Sequence, residues 1–420
     1  MYYHRLIEKT IGEKLSYSGA ILIAGPKFCG KTTTSEIFAK SSAKLITTQD
    51  IELAKISDSF LFEGDSPRLI DEWQTVPEIW NKVRQKVDNN GTPGLYILTG
   101  SSTPADKTKI HHSGAGRITI LKMKSLTLTE TLESKKIVSI SDIFNKIDNS
   151  IFYENKDHKI EDTAFYICRG GWPRSINSDR QTALKITQDY YEGLFEFENS
   201  SNKKFRNKKK DILKIILKSY ARNISTEASY NTMIRDIETK SNRKLDIKTF
   251  DSYIEALQDI FILDDIEAWN TNLRSKTAIR TTNTRHFYDT SIACQALNIS
   301  PNDLLHDVRT FGFFFEDFAV KELSVYAGLI NGKVMHYRDS NGLECDAIIH
   351  LSNGNWGMIE IKLGSEDSIE FAANNLNNLE KRIDYSSFKK PSFKMILTAF
   401  GPTYVRKDGI IVASINCICN

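Results

Sequence analysis

Gly25-Pro26-Lys27-Phe28-Cys29-Gly30-Lys31-Thr32 is the most informative stretch of this chain. Its spacing, G-x-x-x-x-G-K-[ST], is that of a loop whose backbone N–H groups surround the phosphates of a nucleotide. Lys31 would reach the β- and γ-phosphates, and the Thr32 hydroxyl would bind Mg²⁺. The residues predicted to bind ATP are Gly25, Pro26, Lys27, Cys29, Gly30, Lys31, Thr32 and Thr33.

The sequence on either side of this loop fits a nucleotide-binding domain. Residues 20–24 read AILIA, an apolar run suited to a buried parallel strand. Residues 33–40 have helical composition, and the N-terminus of a helix attracts phosphate. A Gly-Lys turn that matched by chance would lack this context, so we expect an α/β domain with ATP and Mg²⁺ as its ligands.

Hydrolysis of ATP needs carboxylates near the γ-phosphate, and Asp71 and Glu72 end the run RLIDE at residues 68–72. Ligands of open α/β sheets bind at the carboxyl ends of the strands, where these two side chains would lie. Asp71 would hold Mg²⁺ through water, and Glu72 would polarise the attacking water. The simpler alternative is that this acidic pair only ends a strand at the surface.

Two further polar positions follow along the chain. The run GLYILTGSS at residues 94–102 predicts another buried strand, and Ser101 or Thr99 would sense the γ-phosphate at its end. Arg117 follows a glycine-rich turn, from which its charge could approach the γ-phosphate of its own subunit or of a neighbouring one. A turn of small residues and a solvated arginine are the competing interpretations.

These motifs together resemble a widespread prokaryotic family of AAA+ ATPases, with an AAA_14-type P-loop domain and a C-terminal DUF4143 region. The resemblance is carried by the P-loop and by LIDEWQ at 69–74, ILTGSS at 97–102, AGR at 115–117 and RGGWP at 169–173. It implies an AAA+ parallel-sheet domain, a winged-helix module and a nuclease-like C-terminal fold. AAA+ relatives often form rings, so a homo-oligomer is a further expectation.

The middle of the chain is strongly basic. Residues 201–250 contain 14 Lys or Arg against 5 Asp or Glu, a net +9, whereas the whole chain has a net charge of +3. Three helices are predicted within residues 206–257, the third capped by Asp246, and a strand at residues 260–266. This order is typical of a winged helix, and the basic segment 203–248 predicts a DNA partner. The residues suited to phosphates and base edges are Arg243, Lys244, Lys248 and Thr249. A solvated basic face or a protein-contact module is the alternative.

A set of charged residues in the C-terminal third has the pattern of PD-(D/E)xK nucleases. Glu316 lies on a predicted helix, Asp346 on a predicted strand, and Glu360 and Lys362 on the next strand. Alternation along a strand places Glu360 and Lys362 on one face. Glu316, Asp346 and Glu360 would bind Mg²⁺, and Lys362 would position or deprotonate water. A fold of this kind that only binds a partner is the alternative.

Composition and hydropathy bound the class of protein. The 420 residues are 40% hydrophobic and 26% charged, which is ordinary for a globular chain of two or three domains. No run of about 18 apolar residues occurs, and the start MYYHRLIE does not read as a signal peptide. Six scattered cysteines form no C-x-x-C pair, so we expect a cytoplasmic protein without a membrane partner.

The expected fold class is α/β with four regions: a P-loop ATPase domain (1–135), a lid or linker (136–205), a winged-helix-like domain (206–300) and a PD-(D/E)xK nuclease-like domain (301–420). The expected function is Mg²⁺-dependent ATP hydrolysis coupled to DNA binding, and further to metal-dependent DNA cleavage. The alternative is an ATP-dependent switch whose C-terminal domain binds DNA or protein without catalysis. A small-molecule kinase fits less well. The predicted catalytic residues are Lys31, Glu72, Ser101, Arg117 and Lys362, and the predicted metal ligands are Thr32, Asp71, Glu316, Asp346 and Glu360.

Overall fold

The computed structural model describes residues 2–102, 114–196, 208–241, 243–270, 282–339, 342–385 and 388–420. The chain divides into two compact units, not along the four predicted regions. The N-terminal unit contains residues 1–125, 192–213 and 252–262. The C-terminal unit contains residues 126–191, 214–251 and 263–420. The first boundary between the two units follows residue 125, whereas the predicted ATPase domain ends at residue 135.

The N-terminal unit contains a five-stranded parallel sheet among its described residues. Its strands are β1 (Ala20–Ala24), β2 (Ser41–Lys44), β3 (Arg68–Asp71), β4 (Tyr96–Gly100) and β5 (Ile118–Lys122). The helices are α1 (Glu8–Leu15), α2 (Lys31–Glu36), α3 (Thr48–Ile56), α4 (Asp58–Phe62) and α5 (Ile79–Asn90). All residues of β1, β3 and β4 are buried, as expected for strands covered on both faces.

The strand order of this sheet is β2-β3-β4-β1-β5. The strand before the phosphate loop, β1, and the strand that ends in Asp71, β3, are therefore separated by β4. Because all these strands are parallel, their carboxyl ends lie at one edge of the sheet. The predicted buried strands at 20–24, 68–72 and 94–102 are confirmed, and the parallel α/β class with them.

The C-terminal unit is built on a mixed seven-stranded sheet, in the order β7-β12-β13-β11-β10-β9-β8. Its strands are β7 (Phe152–Tyr153), β8 (Gly332–Arg338), β9 (Glu344–Leu351), β10 (Trp356–Lys362), β11 (Phe393–Thr398), β12 (Thr403–Val405) and β13 (Ile411–Ser414). A second, short pair joins β6 (Val138–Ser139) to β14 (Ile418–Cys419) in parallel. The pair β9–β10 is antiparallel and the pair β10–β11 is parallel.

The helices of the rest of the chain are α6 (Ile140–Ile143), α7 (Ile160–Arg169), α8 (Pro173–Ile176), α9 (Arg180–Gly193), α10 (Lys210–Arg222), α11 (Tyr230–Ser241), α12 (Ile247–Asp259), α13 (Thr290–Leu297), α14 (Pro301–His306), α15 (Val308–Leu329) and α16 (Glu366–Arg382). One core cluster places Ile348 and Met358 of the sheet against Ala372 and Leu376 of α16. Each of these four side chains is buried, so the hydrophobic effect holds this helix to the sheet.

The middle of the chain confirms the three predicted helices, which are α10, α11 and α12. Asp246 caps α12, since its carboxylate accepts hydrogen bonds from the N–H and hydroxyl of Thr249 at 2.9 and 2.6 Å. The predicted strand at 260–266 is wrong. Only isolated antiparallel bridges form there, from Leu263 to Phe287 and from Ile266 to Thr284. Most of the basic run, residues 203–207, lies outside the described residues.

The first residues of the C-terminal unit continue directly from β5 and are held by buried polar groups. The N–H of Leu126 donates to the carbonyl oxygen of Gly171 at 2.7 Å, and the Lys321 ammonium donates to the Leu126 carbonyl at 2.7 Å. The N–H of Leu128 donates to the Glu322 carboxylate at 3.0 Å. Both charged side chains lie on α15 and are buried. This segment therefore belongs to the C-terminal unit although it follows the parallel sheet without a break.

Membrane-spanning helices were sought in the part of the chain that the structure describes. Every helix there is too short or too polar to cross a bilayer.

Candidate active site

The phosphate loop connects the end of β1 to the start of α2, as its motif predicts. Gly30 has φ 98°, a left-handed conformation that glycine adopts without strain, and the first turn of α2 follows with the Thr34 N–H donating to the Gly30 carbonyl at 3.0 Å. A Cβ on Gly25 would lie 2.1 Å from the carbonyl oxygen of Met123, so only glycine fits there. The loop is therefore shaped by its glycines before any ligand binds.

The side chains of the loop are placed for a phosphate and a cation. Lys31 is buried, and its ammonium donates to the carbonyl of Pro26 at 2.7 Å. The Thr32 hydroxyl donates to Asp71 Oδ1 at 2.8 Å, and the hydroxyl of Thr99 donates to the same oxygen. Hydroxyl and carboxylate oxygens are the hard ligands that Mg²⁺ prefers. The donor set of Thr32 and Asp71 thus fits the predicted cation.

Glu72 follows β3 directly and has an unusual backbone. Its φ of 58° lies in the left-handed region, which costs a non-glycine residue of order 1–3 kcal/mol and is found mainly at functional sites. Its N–H donates to the Thr99 hydroxyl at 3.3 Å. Its carboxylate Oε2 accepts from Ser101 at 3.1 Å and from the amide of Gln74. The strand end and β4 together fix both the backbone and the side chain of this acid.

Ser101 and Thr99 are the two alternatives for the polar residue at the end of β4. Both contact the acidic pair, since Thr99 bonds to Asp71 and Ser101 to Glu72. This arrangement follows from the strand order, which places β4 beside β3. The structure therefore brings together Lys31, Thr32, Asp71, Glu72 and Ser101 at one edge of the sheet.

Arg117 is not brought to this edge. It precedes β5, and its carbonyl accepts from the N–H of Ala20 at 3.0 Å, at the start of β1. The phosphate loop follows the opposite end of β1, roughly 16 Å away along five residues. The Arg117 guanidinium instead pairs with Asp88 at 2.7 Å. In this arrangement the Arg117 guanidinium does not lie beside the phosphate loop of its own chain, and its approach to a γ-phosphate stays a prediction.

The sequence motifs assign no role to two residues near the loop, Arg5 and Gln74. Arg5 is buried, and its guanidinium donates to the carbonyl of Cys29 at 2.7 Å and to that of Lys124 at 2.8 Å. It therefore braces the phosphate loop against the chain that follows β5. Gln74 lies two residues beyond Glu72, and the motif DEWQ is the only sequence signal that could single it out.

The predicted nuclease-type residues also converge, in the C-terminal unit. The Lys362 ammonium lies 2.7 Å from Asp346 Oδ2 and 2.7 Å from Glu360 Oε2. The N–H of Ile361 donates to the same Asp346 oxygen at 2.7 Å. The amide of Asn375, on α16, donates to Glu360 Oε1 at 2.7 Å. Glu360 is only 2% exposed, so this is a buried ion cluster.

Burial and mutual charge shift the titration of this cluster. Burial, followed by the charge of Asp346, raises the pKa of Glu360 to about 8. The same two causes raise the pKa of Glu316 well above its usual range. Burial alone would lower the pKa of Lys362, but the charges of Asp346 and Glu360 outweigh it and raise that pKa. The lysine is therefore firmly protonated between its two carboxylates.

The expected metal site in the C-terminal unit is not formed. Among the described residues, no group of three or more His, Cys, Asp or Glu side chains is arranged to hold a metal ion. Glu316, Asp346 and Glu360 are neighbours, but the Lys362 ammonium occupies the position between the two strand carboxylates and neutralises them. The prediction that these three acids bind Mg²⁺ is thus not met by this arrangement, and no metal-dependent step is derived for it.

A cleft of about 320 Å³ opens beside this cluster, and Glu316 and Asp346 contribute to its wall. Its other charged side chains are Glu227, Arg338 and Glu344. The Arg338 guanidinium lies 3.9 Å from Glu227 and 3.6 Å from Glu344. Acidic groups outnumber basic ones, so the cleft repels phosphate more than it attracts it.

The RGGWP stretch at 169–173 has a structural role. Arg169 donates to both oxygens of Glu133, at 2.6 and 2.7 Å. The N–H of Gly171 donates to Asp289 at 2.9 Å, and the indole N–H of Trp172 donates to Ser291 at 3.0 Å. The first two bonds tie the end of α7 to Glu133, and the other two tie the residues just after α7 to the start of α13, all within the C-terminal unit. The motif therefore stabilises the fold and takes no part in the candidate site.

Three family models match separate parts of the chain. Residues 17–132 match an AAA domain, residues 160–303 match a domain of unknown function (DUF8612), and residues 311–418 match another (DUF4143). The predicted combination of an AAA-type domain with a C-terminal DUF4143 region is confirmed by these matches. The middle region has its own family model, which the sequence motifs do not indicate.

Two curated relatives match at the level of the whole chain. The uncharacterized protein Rv2008c of Mycobacterium tuberculosis and Mb2031c of Mycobacterium bovis are each 22% identical over 355 residues, or 83% of this chain and 71% of theirs. Among solved structures, the Walker-type ATPase PABY2304 of Pyrococcus abyssi is 13% identical, with a TM-score of 0.43 over 70% of this chain and 96% of its own. A STAND-type signal transduction ATPase with a tetratricopeptide repeat sensor from Pyrococcus horikoshii is 13% identical, with a TM-score of 0.27 over 79% and 50%.

Proposed function

We propose that this chain binds Mg²⁺ and ATP and hydrolyses the γ-phosphate bond. The observation that carries the proposal is the placement of Thr32, Asp71 and Glu72 around the phosphate loop, with hydrogen bonds of 2.8 Å from Thr32 to Asp71 and 3.1 Å from Ser101 to Glu72. The match of residues 17–132 to an AAA domain supports it.

Each residue of the site has a defined task in this proposal. The Lys31 ammonium leaves the Pro26 carbonyl and binds the β- and γ-phosphates. A charged phosphate oxygen forms a stronger hydrogen bond with the ammonium than a neutral carbonyl oxygen does. Thr32 and Asp71 would hold Mg²⁺, which would offset the negative charge of the phosphates. Glu72 accepts a proton from the attacking water. Because its side chain is held in one position, it is already oriented for this transfer.

The test is ATP turnover by the full chain and by Glu72→Gln. Because the amide cannot accept a proton, we expect turnover to fall by about a hundredfold or more, while a fluorescent ATP analogue binds as before. Glu63→Gln, at an exposed acid of the same unit, is the matched control and should leave turnover unchanged. A parent that binds ATP without hydrolysing it would establish the alternative, a nucleotide-dependent switch.

DNA is the proposed partner of the middle region. Arg243, Lys244 and Lys248 are exposed at the start of α12, the last of the three helices α10, α11 and α12. Exposed basic residues at a helix start are suited to phosphate contacts. Turnover is therefore to be measured with and without DNA at two salt concentrations, since a phosphate-contacting protein loses its DNA response as salt rises.

Cleavage of that DNA is a separate candidate, supported by the convergence of Asp346, Glu360 and Lys362. The acidic cleft and the position of the Lys362 ammonium oppose it. Nicking of plasmid DNA with Mg²⁺ or Mn²⁺, measured in the same tubes as turnover, decides between a cleaving and a non-cleaving C-terminal unit. DNA-stimulated turnover without nicking would assign this unit to binding.

A further inference from the structure

Gln74 is the polar side chain closest in sequence to the acidic pair, and the proposed function assigns it no task. It lies on the 3₁₀ turn Trp73–Thr75 that follows β3. Its amide Nε2 donates to Glu72 Oε2 and, at 3.4 Å, to the Ser101 hydroxyl. Gln74 is 5% exposed, so these bonds form away from bulk water.

Both donors reach the same oxygen of Glu72. Ser101 donates to Oε2 at 3.1 Å, and Gln74 donates to Oε2 as well. The other carboxylate oxygen, Oε1, takes part in neither bond. A carboxylate held through one oxygen keeps a fixed rotation and can present the second oxygen in one direction.

The orientation of the Gln74 amide is itself determined by its surroundings. Its oxygen Oε1 and the indole N–H of Trp73 are both buried, and within the described residues neither has a hydrogen-bond partner. Both atoms lie beside Gly100, at 2.9 and 3.0 Å from the position that a Cβ there would take. A flipped amide would turn its oxygen toward the Glu72 carboxylate. The observed orientation avoids this repulsion.

The backbone of Glu72 makes this restraint consequential. A left-handed glutamate is strained, and such strain persists where the surrounding structure holds the residue in place. The bonds from Gln74 and Ser101 hold the side chain of the same residue.

We propose that Gln74 is a positioning residue for ATP hydrolysis, whose amide fixes the Glu72 carboxylate in the direction of the attacking water. This inference rests on the proposed hydrolysis of ATP at the same site. It assigns to Gln74 an effect on the chemical step and none on the binding of nucleotide, because its amide contacts Glu72 and Ser101 and not the phosphate loop.

The test compares Gln74→Met with the parent chain. Methionine has a similar length and no donor, so we expect kcat to fall about tenfold or more, with KM, analogue binding and the thermal unfolding temperature unchanged. Gln74→Asn keeps the amide on a shorter side chain, and it should likewise lower kcat and leave KM unchanged. Gln85→Met is the matched control, because Gln85 is exposed on α5 of the same unit.

A double-mutant cycle separates positioning from simple packing. In the Glu72→Gln background, Gln74→Met should cause no further loss of turnover, because the carboxylate that Gln74 positions is already gone. A multiplicative loss in the double variant, a loss of analogue binding, or a kcat equal to that of the parent would each overturn the inference. A parent chain without turnover would instead overturn the proposed function, so the two failures are distinguishable.

Discussion

The two units each contain a pair of neighbouring acidic side chains supported by a β-sheet, and the pairs differ in what surrounds the negative charge. Asp71 and Glu72 accept hydrogen bonds from the neutral groups of Thr32, Thr99 and Ser101.

In the C-terminal unit, Asp346 and Glu360 share the ammonium of Lys362 at 2.7 Å. Neutral donors orient a carboxylate and leave its charge for a cation, whereas an ammonium neutralises it. The first pair therefore keeps the negative charge that the proposed Mg²⁺ site needs, whereas the second pair already has a counter-charge.

Removal of the Lys362 ammonium should have the largest effect on the free energy of unfolding. It tests whether Asp346 and Glu360 depend on this counter-charge. Above about pH 8, where Glu360 is ionised, Lys362→Met leaves the two buried carboxylates of Asp346 and Glu360 without a counter-charge, which costs about 3–5 kcal/mol. Urea unfolding of the C-terminal unit can be followed through Trp269 and Trp356, whose rings lie 4.6 Å apart. Lys333→Met, which removes an exposed partner of Glu267, is the control and should cost less than about 1 kcal/mol.

The same contrast predicts a pH dependence for the C-terminal unit alone. Burial raises the pKa of Glu360 to about 8 in the folded chain, above its ordinary value near 4.5. Between these pH values the folded state holds a proton that the unfolded state releases, so stability falls as pH rises through this window. The slope approaches about 1.4 kcal/mol per pH unit.

Unfolding temperatures measured from pH 5 to pH 9 test this dependence. The contribution of Glu360 to this loss should end above about pH 8, once Glu360 is ionised in both states. Glu360→Gln should reduce the slope, since the amide does not titrate, and Glu316, whose pKa burial and Asp346 also raise, should account for the slope that is left. An unchanged slope in Glu360→Gln would contradict the assignment to Glu360.

The smallest effect on turnover is expected at Asp71 and Glu72, the acidic pair with neutral hydrogen-bond donors. Ser101→Ala removes one of the two donors to Glu72 Oε2 and leaves the Gln74 amide in place. A single hydrogen bond of this kind is worth about 0.5–1.5 kcal/mol, so turnover should fall roughly two- to tenfold. Ser102→Ala, at the next residue, is the control. An equal loss of turnover in both variants would assign the effect to the segment that follows β4 and not to the Ser101 hydroxyl.

The sequence predicts the residues that local patterns identify and misses those that tertiary structure brings in. The loop at 25–32 and the acids at 71–72 follow buried strands, so their common edge can be inferred from the order of residues alone. Arg117 is misplaced by this reasoning because its glycine-rich turn gives no information on which end of the sheet it joins. Only the pairing of Ala20 with the residues that begin β5 determines that end.

The C-terminal unit shows a second limit of sequence patterns. Alternation along β10 correctly places Glu360 and Lys362 on one face, and the antiparallel pairing brings Asp346 to them. The spacing D…E-x-K cannot say whether the lysine faces a water or its own carboxylates, because that choice depends on side-chain contacts. Asn375 and Arg5 act from distant segments, and no motif identifies them.

The discontinuous path of the chain has a consequence for dividing this protein into parts. The N-terminal unit contains residues from three separate stretches, 1–125, 192–213 and 252–262, so no single cut releases it whole. A fragment that ends with the AAA match at residue 132 would also carry Leu126 and Leu128 without Gly171, Lys321 and Glu322, their hydrogen-bond partners. Exchange of the parallel-sheet region alone would therefore leave both units incomplete.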